Sequence, residues 1–161
     1  KTWREDGSID SEINRQLDER HGMSTYYFEN GEISALEPYQ MGEKGNVSYF
    51  KQDGTPLPKG TKGDLEPEFQ GGDNAMASFI IAHVVYPQQA IEMGHKGTSY
   101  VSFIVEKDGS LSGVRIRKSS HDILDREALR VVREMPNWIP GKLHNRLVRV
   151  NFTLPIHFRL N

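Results

Sequence analysis

An α+β fold built on an antiparallel sheet is predicted by three patterns in the amino-acid sequence. First, Val148, Val150, Phe152, Leu154, Ile156, Phe158 and Leu160 alternate with Arg149, Asn151, Thr153, Pro155, His157 and Arg159. Period two over these thirteen residues marks a long strand with one face buried. Second, Leu124, Ala128, Val131, Val132 and Met135 recur at helical spacing until Pro136 stops them. Third, Asp108-Gly109 joins two strand-like runs, Tyr100–Lys107 and Ser110–Lys118, as in a β-hairpin. In the first run Val101, Phe103 and Val105 share a face. Upstream, Asp73 or Asn74 can cap a helix carrying Met76, Phe79, Ile80 and His83. Pro87 opens a second, short helix that ends at Gly94. The predicted order is helix, helix, hairpin, helix, strand.

The first part of the chain follows another rule. Residues 22–31 (GMSTYYFENG) match residues 45–54 (GNVSYFKQDG) at an offset of 23 (45 − 22), with aromatics in register and glycines at both ends. Trp3 lies 23 residues before Tyr26, near an Asp6-Gly7 pair that marks a degenerate earlier copy. A fixed period with Asn-Gly and Asp-Gly turns predicts successive β-hairpins. Ile9, Ile13 and Leu17 admit an amphipathic helix as the alternative, but the repeat favours strands. Between residues 59 and 72, Gly60, Gly63, Pro67, Gly71 and Gly72 stand among charged residues, as in a linker. The expected domains are therefore a repeat region, 1–63, and an α+β domain, 64–161.

Composition narrows the function classes. The chain has 161 residues, 36% of them hydrophobic, with 20 basic and 22 acidic side chains. Residues 1–62 hold 8 basic and 11 acidic groups, leaving 12 (20 − 8) and 11 (22 − 11) after them. Neither part has the basic excess that phosphate-backbone binding requires, so nucleic acid is not an expected partner. With no cysteine, disulfides and thiolate chemistry are excluded. No apolar run reaches the length of a bilayer span. Because Lys1 is not an initiator methionine, the expectation is a processed or cut chain.

From Phe69 onward the order of landmarks resembles the TonB carboxy-terminal domain family. These landmarks are Phe69-x-Gly71-Gly72, Tyr86-Pro87-x-x-Ala90, Gly97, Val101-x-Phe103-x-Val105, Asp108-Gly109-Ser110 and Leu124-Asp125-x-x-Ala128. They continue with Met135-Pro136-x-Trp138-x-Pro140-Gly141 and Val150-x-Phe152-Thr153-Leu154-Pro155-Ile156-x-Phe158. The resemblance implies a periplasmic module that pairs its last strand with the TonB box of outer-membrane transporters. It also implies, where a membrane anchor exists, an inner-membrane complex that energises it. The strand so implied as the peptide-binding edge includes Val148, Arg149, Val150, Asn151, Phe152, Thr153 and Leu154. Pro155 agrees independently, because a residue without an N–H is confined to sheet borders. Residues 3–58 resemble, more loosely, the MORN-like repeat variants of bacterial envelope proteins. The alternative function is a cell-envelope scaffold that self-pairs into a homodimer or binds other envelope proteins.

Candidate chemical sites read as structural. Ser119-Ser120-His121-Asp122 contains triad residue types, yet sequence adjacency does not assemble a triad, and a turn into the helix explains it. The six histidines show no ligand-spaced pair, and neither a metal nor a cofactor is expected. His83 is expected at a core boundary and Trp138 in the core. Gly71-Gly72 lacks the Lys-Ser/Thr of a phosphate loop, and Glu66 and Glu68 read as solvated charges. Arg126, Arg130 and Arg133 form a polar helix face. No enzymatic activity is expected.

Overall fold

The computed structural model describes all 161 residues and has the predicted α+β class. The chain begins with β1 (Thr2–Trp3), β2 (Ile9–Glu12), β3 (Arg15–Gln16), β4 (Glu19–Arg20), β5 (Gly22–Tyr27), β6 (Ile33–Gln40), β7 (Glu43–Lys44) and β8 (Ser48–Tyr49). It continues with α1 (Gly72–His83), α2 (Gln88–Glu92), β9 (Gly97–Val105), β10 (Leu111–Lys118) and α3 (Asp122–Arg133). The last elements are β11 (Gly141–Leu143), β12 (Arg146–Val148) and β13 (Val150–Phe158). Two units result: Lys1–Leu65 with Lys142–Leu147, and Glu66–Gly141 with Val148–Asn161.

The first unit is an antiparallel sheet in the order β1-β2-β5-β6-β7, with β8 also on β6. Its period has a local cause. Phe28 N–H donates to Glu32 O at 2.8 Å and Gly31 N–H to Phe28 O at 3.0 Å. Lys51, Gly54 and Thr55 repeat that pair of bonds, and Arg4, Gly7 and Ser8 make it a third time. In each turn the side chain before the glycine (Asp6, Asn30, Asp53) accepts the amide two residues on. The glycines stand at φ 84°, 87° and 83°, a region open to them without a Cβ penalty. The helical alternative for Ile9–Leu17 is excluded: Ile9–Glu12 is strand, and Leu17-Asp18 is a left-handed turn between β3 and β4.

The second unit packs its helices against a sheet in the order β10-β9-β13. Along α3 the predicted stripe is buried: Leu124, Ala128, Val131 and Val132 have no exposed surface. Leu124, Ala128 and Val132 meet Val101, Phe103 and Val105 of β9 and Leu154, Ile156 and Phe158 of β13 in one core, which apolar burial stabilises. The cap of α1 differs from expectation. The helix begins one residue before Asp73, and its N-cap is Gly71 at φ 90° with no side-chain cap. Consecutive left-handed glycines, Gly71 and Gly72, turn the chain into the helix, leaving no role for Asp73 or Asn74 as the cap. His83 is exposed; its ring stacks on Phe79 at 3.9 Å and Nδ1 contacts Phe79 O at 2.8 Å.

Asp108-Gly109 makes the same turn as the repeats, with Glu106 N–H on Ser110 O at 2.8 Å. Here the glycine has a second duty. Its carbonyl accepts Trp138 N–H at 2.8 Å, and a Cβ on it would lie 2.0 Å from Trp138 O. Gly109→Ala is expected to destabilise the second unit by about 3 kcal/mol, from left-handed strain and forced backbone displacement. Urea unfolding followed by far-UV circular dichroism checks this; a loss below about 1 kcal/mol would mean the Trp138 segment yields freely.

Candidate functional site

β13 forms the border of the second unit's sheet. It pairs with β9 in unbroken register from Val150 opposite Val105 to Phe158 opposite Gly97, and β9 is its single sheet neighbour. Its even-numbered side chains turn inward as the alternation requires: Leu154, Ile156 and Phe158 are buried, while Val150 and Phe152 are half-buried. Asn151 and His157 are exposed on the opposite face, and Thr153 is half-buried there.

The expected strand from Val148 is shorter at its start. Val148 ends β12, Arg149 lies between strands, and β13 begins at Val150. The reason is the partner: β9 ends at Val105, and the Asp108-Gly109 turn leaves no ladder for earlier residues. Arg149 instead forms a fork with Glu106, Nε to Oε2 at 2.7 Å and Nη2 to Oε1 at 3.0 Å. That contact raises the guanidinium and, with Ser112, holds the Glu106 carboxyl below the usual carboxylate range. Arg149 can meet a ligand only by leaving this exposed pair, which itself contributes little stability.

Pro155 sits opposite Tyr100 with no break in register. In an antiparallel ladder alternate residues aim their N–H and C=O at the partner strand, and the others aim away. A residue without an N–H is accommodated in the second set. Asn151 and Thr153 share its parity, so their amides point from the open border of the sheet. The backbone there offers donors and acceptors to another extended chain.

Most of the remaining candidates have structural partners. Ser119 Oγ donates to Asp125, Ser99 Oγ donates to it at 2.6 Å, and Ser120 N–H reaches it at 3.1 Å. His121 stacks on His95 at 4.1 Å, so the four-residue run leads into α3. Trp138 is 3% exposed in the core, as expected, edge-on to Phe69, Phe103 and Phe152. Arg130 is bound to Glu127, Glu134 and His83 O, whereas Arg126 and Arg133 are exposed. Glu66 is exposed, and Glu68 exchanges backbone hydrogen bonds with Ile139 at 3.0 and 2.8 Å.

Burial pushes the Asp125 carboxyl up, but hydrogen bonds from Ser119, Ser99 and Ser120 outweigh it and hold the group below its ordinary range. A depressed folded-state pKa contributes stability above the unfolded pKa, and that stability disappears as pH falls through the folded value. Asp125→Asn is therefore expected to flatten the acid limb of the second unit's stability and cost about 1–3 kcal/mol at neutral pH. Urea unfolding between about pH 3 and pH 7 checks it; an unchanged pH slope would contradict it.

Comparison with known proteins agrees with the sequence landmarks. Residues 82–160 match the family described as Gram-negative bacterial TonB protein C-terminal. Over 88 residues the chain is 40% identical to the protein TonB of Haemophilus influenzae, an alignment covering 50% of this chain and 32% of that protein. The chain thus spans about a third of that relative's length. Two solution structures of the Helicobacter pylori TonB carboxy-terminal domain are 26% and 25% identical, each with a TM-score of 0.42. Both cover 53% of this chain, and the matches include 78% and 90% of those chains. Over these residues the second half of the chain is similar to TonB carboxy-terminal domains.

Proposed function

We propose that the second unit is a periplasmic protein-binding module that adds an extended peptide, the TonB box of an outer-membrane transporter, beside β13. The observation that carries this reading is the open border of β13, with Asn151 and Thr153 in the outward parity set by Pro155. Main-chain pairing supplies affinity, and side chains on alternate positions supply selectivity. The similarity to a TonB protein supports protein interaction as the class of function. Energy transduction extends the same reading, with an inner-membrane complex acting on an anchored form. No helix of the protein is long and apolar enough to cross a membrane. In this reading residues 1–63 are MORN-like repeats of an envelope protein, and the domain boundary lies near Gly63.

Titration of TonB-box peptides into isotope-labelled protein tests the proposal. Amide shifts along residues 149–157 are expected. Shifts confined to residues 1–65, or none, would count against it. Self-pairing through the same amides that grows with concentration would favour the scaffold alternative, a homodimer through β13.

A further inference from the structure

The hairpin tip between β11 and β12 is built into the first unit, although Gly141 before it and Val148 after it belong to the second. His144 and Asn145 form its turn at φ 51° and 61°, the two left-handed residues of a tight hairpin. The His144 ring lies flat on Tyr26, 3.5 Å between centroids and 9° from parallel. Its Nδ1 is 2.8 Å from Oε1 of Glu37, a carboxylate with no exposed surface. His144 N–H donates to Asp64 at 2.8 Å, and Asn145 donates N–H to Gly63 O and Nδ2 to Phe50 O, both at 2.8 Å. Arg146 Nη1 reaches Asp10 Oδ1 at 2.5 Å.

Every bond from His144, Asn145 and Arg146 to this face runs the same way, while Lys142 at the base of the hairpin exchanges backbone bonds with Leu65 in both directions. The turn supplies donors from an imidazole, an amide, a guanidinium and its own backbone. The receiving face supplies carboxylates and carbonyls. The face is also shaped for close approach: a Cβ on Gly63 would lie 2.1 Å from the Tyr49 ring, so only glycine lets that carbonyl reach the turn. Glu37 keeps Lys44 at 2.9 Å and Tyr39 OH at 3.1 Å when the turn leaves, but loses its third donor in a buried setting.

We propose that this face of the first unit is a recognition site for a donor-rich β-turn of the type His-Asn-Arg, and that residues 142–147 are its resident ligand, held in cis. The repeats then act as a clamp on the chain leading into β13. Only three residues separate Arg146 from Val150, a span of at most about 14 Å of chain. That this clamp restrains peptide pairing rests on the function proposed for β13; the recognition itself does not.

The test uses the full chain and a cyclised peptide carrying residues 141–148. The wild-type site is expected to ignore the peptide, because its own turn competes at an effective concentration on the order of millimolar. In the His144→Ala/Arg146→Ala variant the peptide is expected to bind and shift the amides of Glu37, Phe50, Gly63 and Asp64. Adding Glu37→Gln should weaken that binding at least about tenfold, the loss of one charge-assisted bond. A variant with native repeat amides that ignores the peptide overturns the proposal, as does binding indifferent to Glu37→Gln. Should the double variant not fold, amide exchange decides: at His144 and Asn145 it should quicken about tenfold in Glu37→Gln, and unchanged exchange overturns the proposal. Hairpin-peptide binding without TonB-box binding would retain this site while removing the function proposed for β13.

Discussion

Trp138→Ala is expected to destabilise the second unit by about 3–5 kcal/mol, the range for removing a buried aromatic ring. The ring is 3% exposed and lies 5.0–5.8 Å from Phe152, Phe103 and Phe69, which come from three separate segments of the unit. Its removal leaves a cavity that no single side chain can fill, because each neighbour is held by its own backbone element. Trp138→Phe is expected to cost much less. It keeps most of the apolar contact and removes an Nε1–H that is buried without a partner. Guanidinium unfolding followed by far-UV circular dichroism measures both. A loss under about 1 kcal/mol for Trp138→Ala would show that the surrounding rings collapse onto the gap.

Asn151→Pro is expected to separate folding from binding. By the parity of Pro155 its N–H points away from β9, so the ladder should persist and the unfolding midpoint should barely move. TonB-box peptide affinity should fall at least about tenfold, because the new ring removes a donor and obstructs the border. Phe152→Pro provides the contrast. It removes an inward N–H and a half-buried ring, and should destabilise the unit by about 3 kcal/mol or more. Circular dichroism with peptide titration distinguishes the cases. If Asn151→Pro unfolds the unit, the parity is wrong; if it folds and binds normally, the border of β13 is not the binding edge.

The elements legible in the sequence are those whose information is local. Period two in β13, the apolar stripe of α3 and the Asp108-Gly109 hairpin each depend on neighbours within a few residues. The 23-residue repeat belongs to the same class, since a glycine with positive φ and a side-chain acceptor before it make the turn wherever they occur. Helix caps were less legible. Asp73 and Asn74 are good cap residues, yet two left-handed glycines start α1 one residue earlier.

By itself, then, the sequence determined the α+β class, the inward face of β13 and the residue at which a proline can stand in it. Those follow from alternation and from covalent facts about proline and glycine. The tertiary structure alone decided where β13 begins, because that depends on where β9 stops offering a ladder. It alone decided that residues 142–147 complete the first unit across an interval of about 80 residues. No periodicity encodes that step. His144 and Asn145 acquire meaning only beside Glu37, Phe50 and Gly63, acceptors gathered from distant strands and loops. Hydrogen-bond complementarity of that kind exists between surfaces, and a linear pattern contains neither surface.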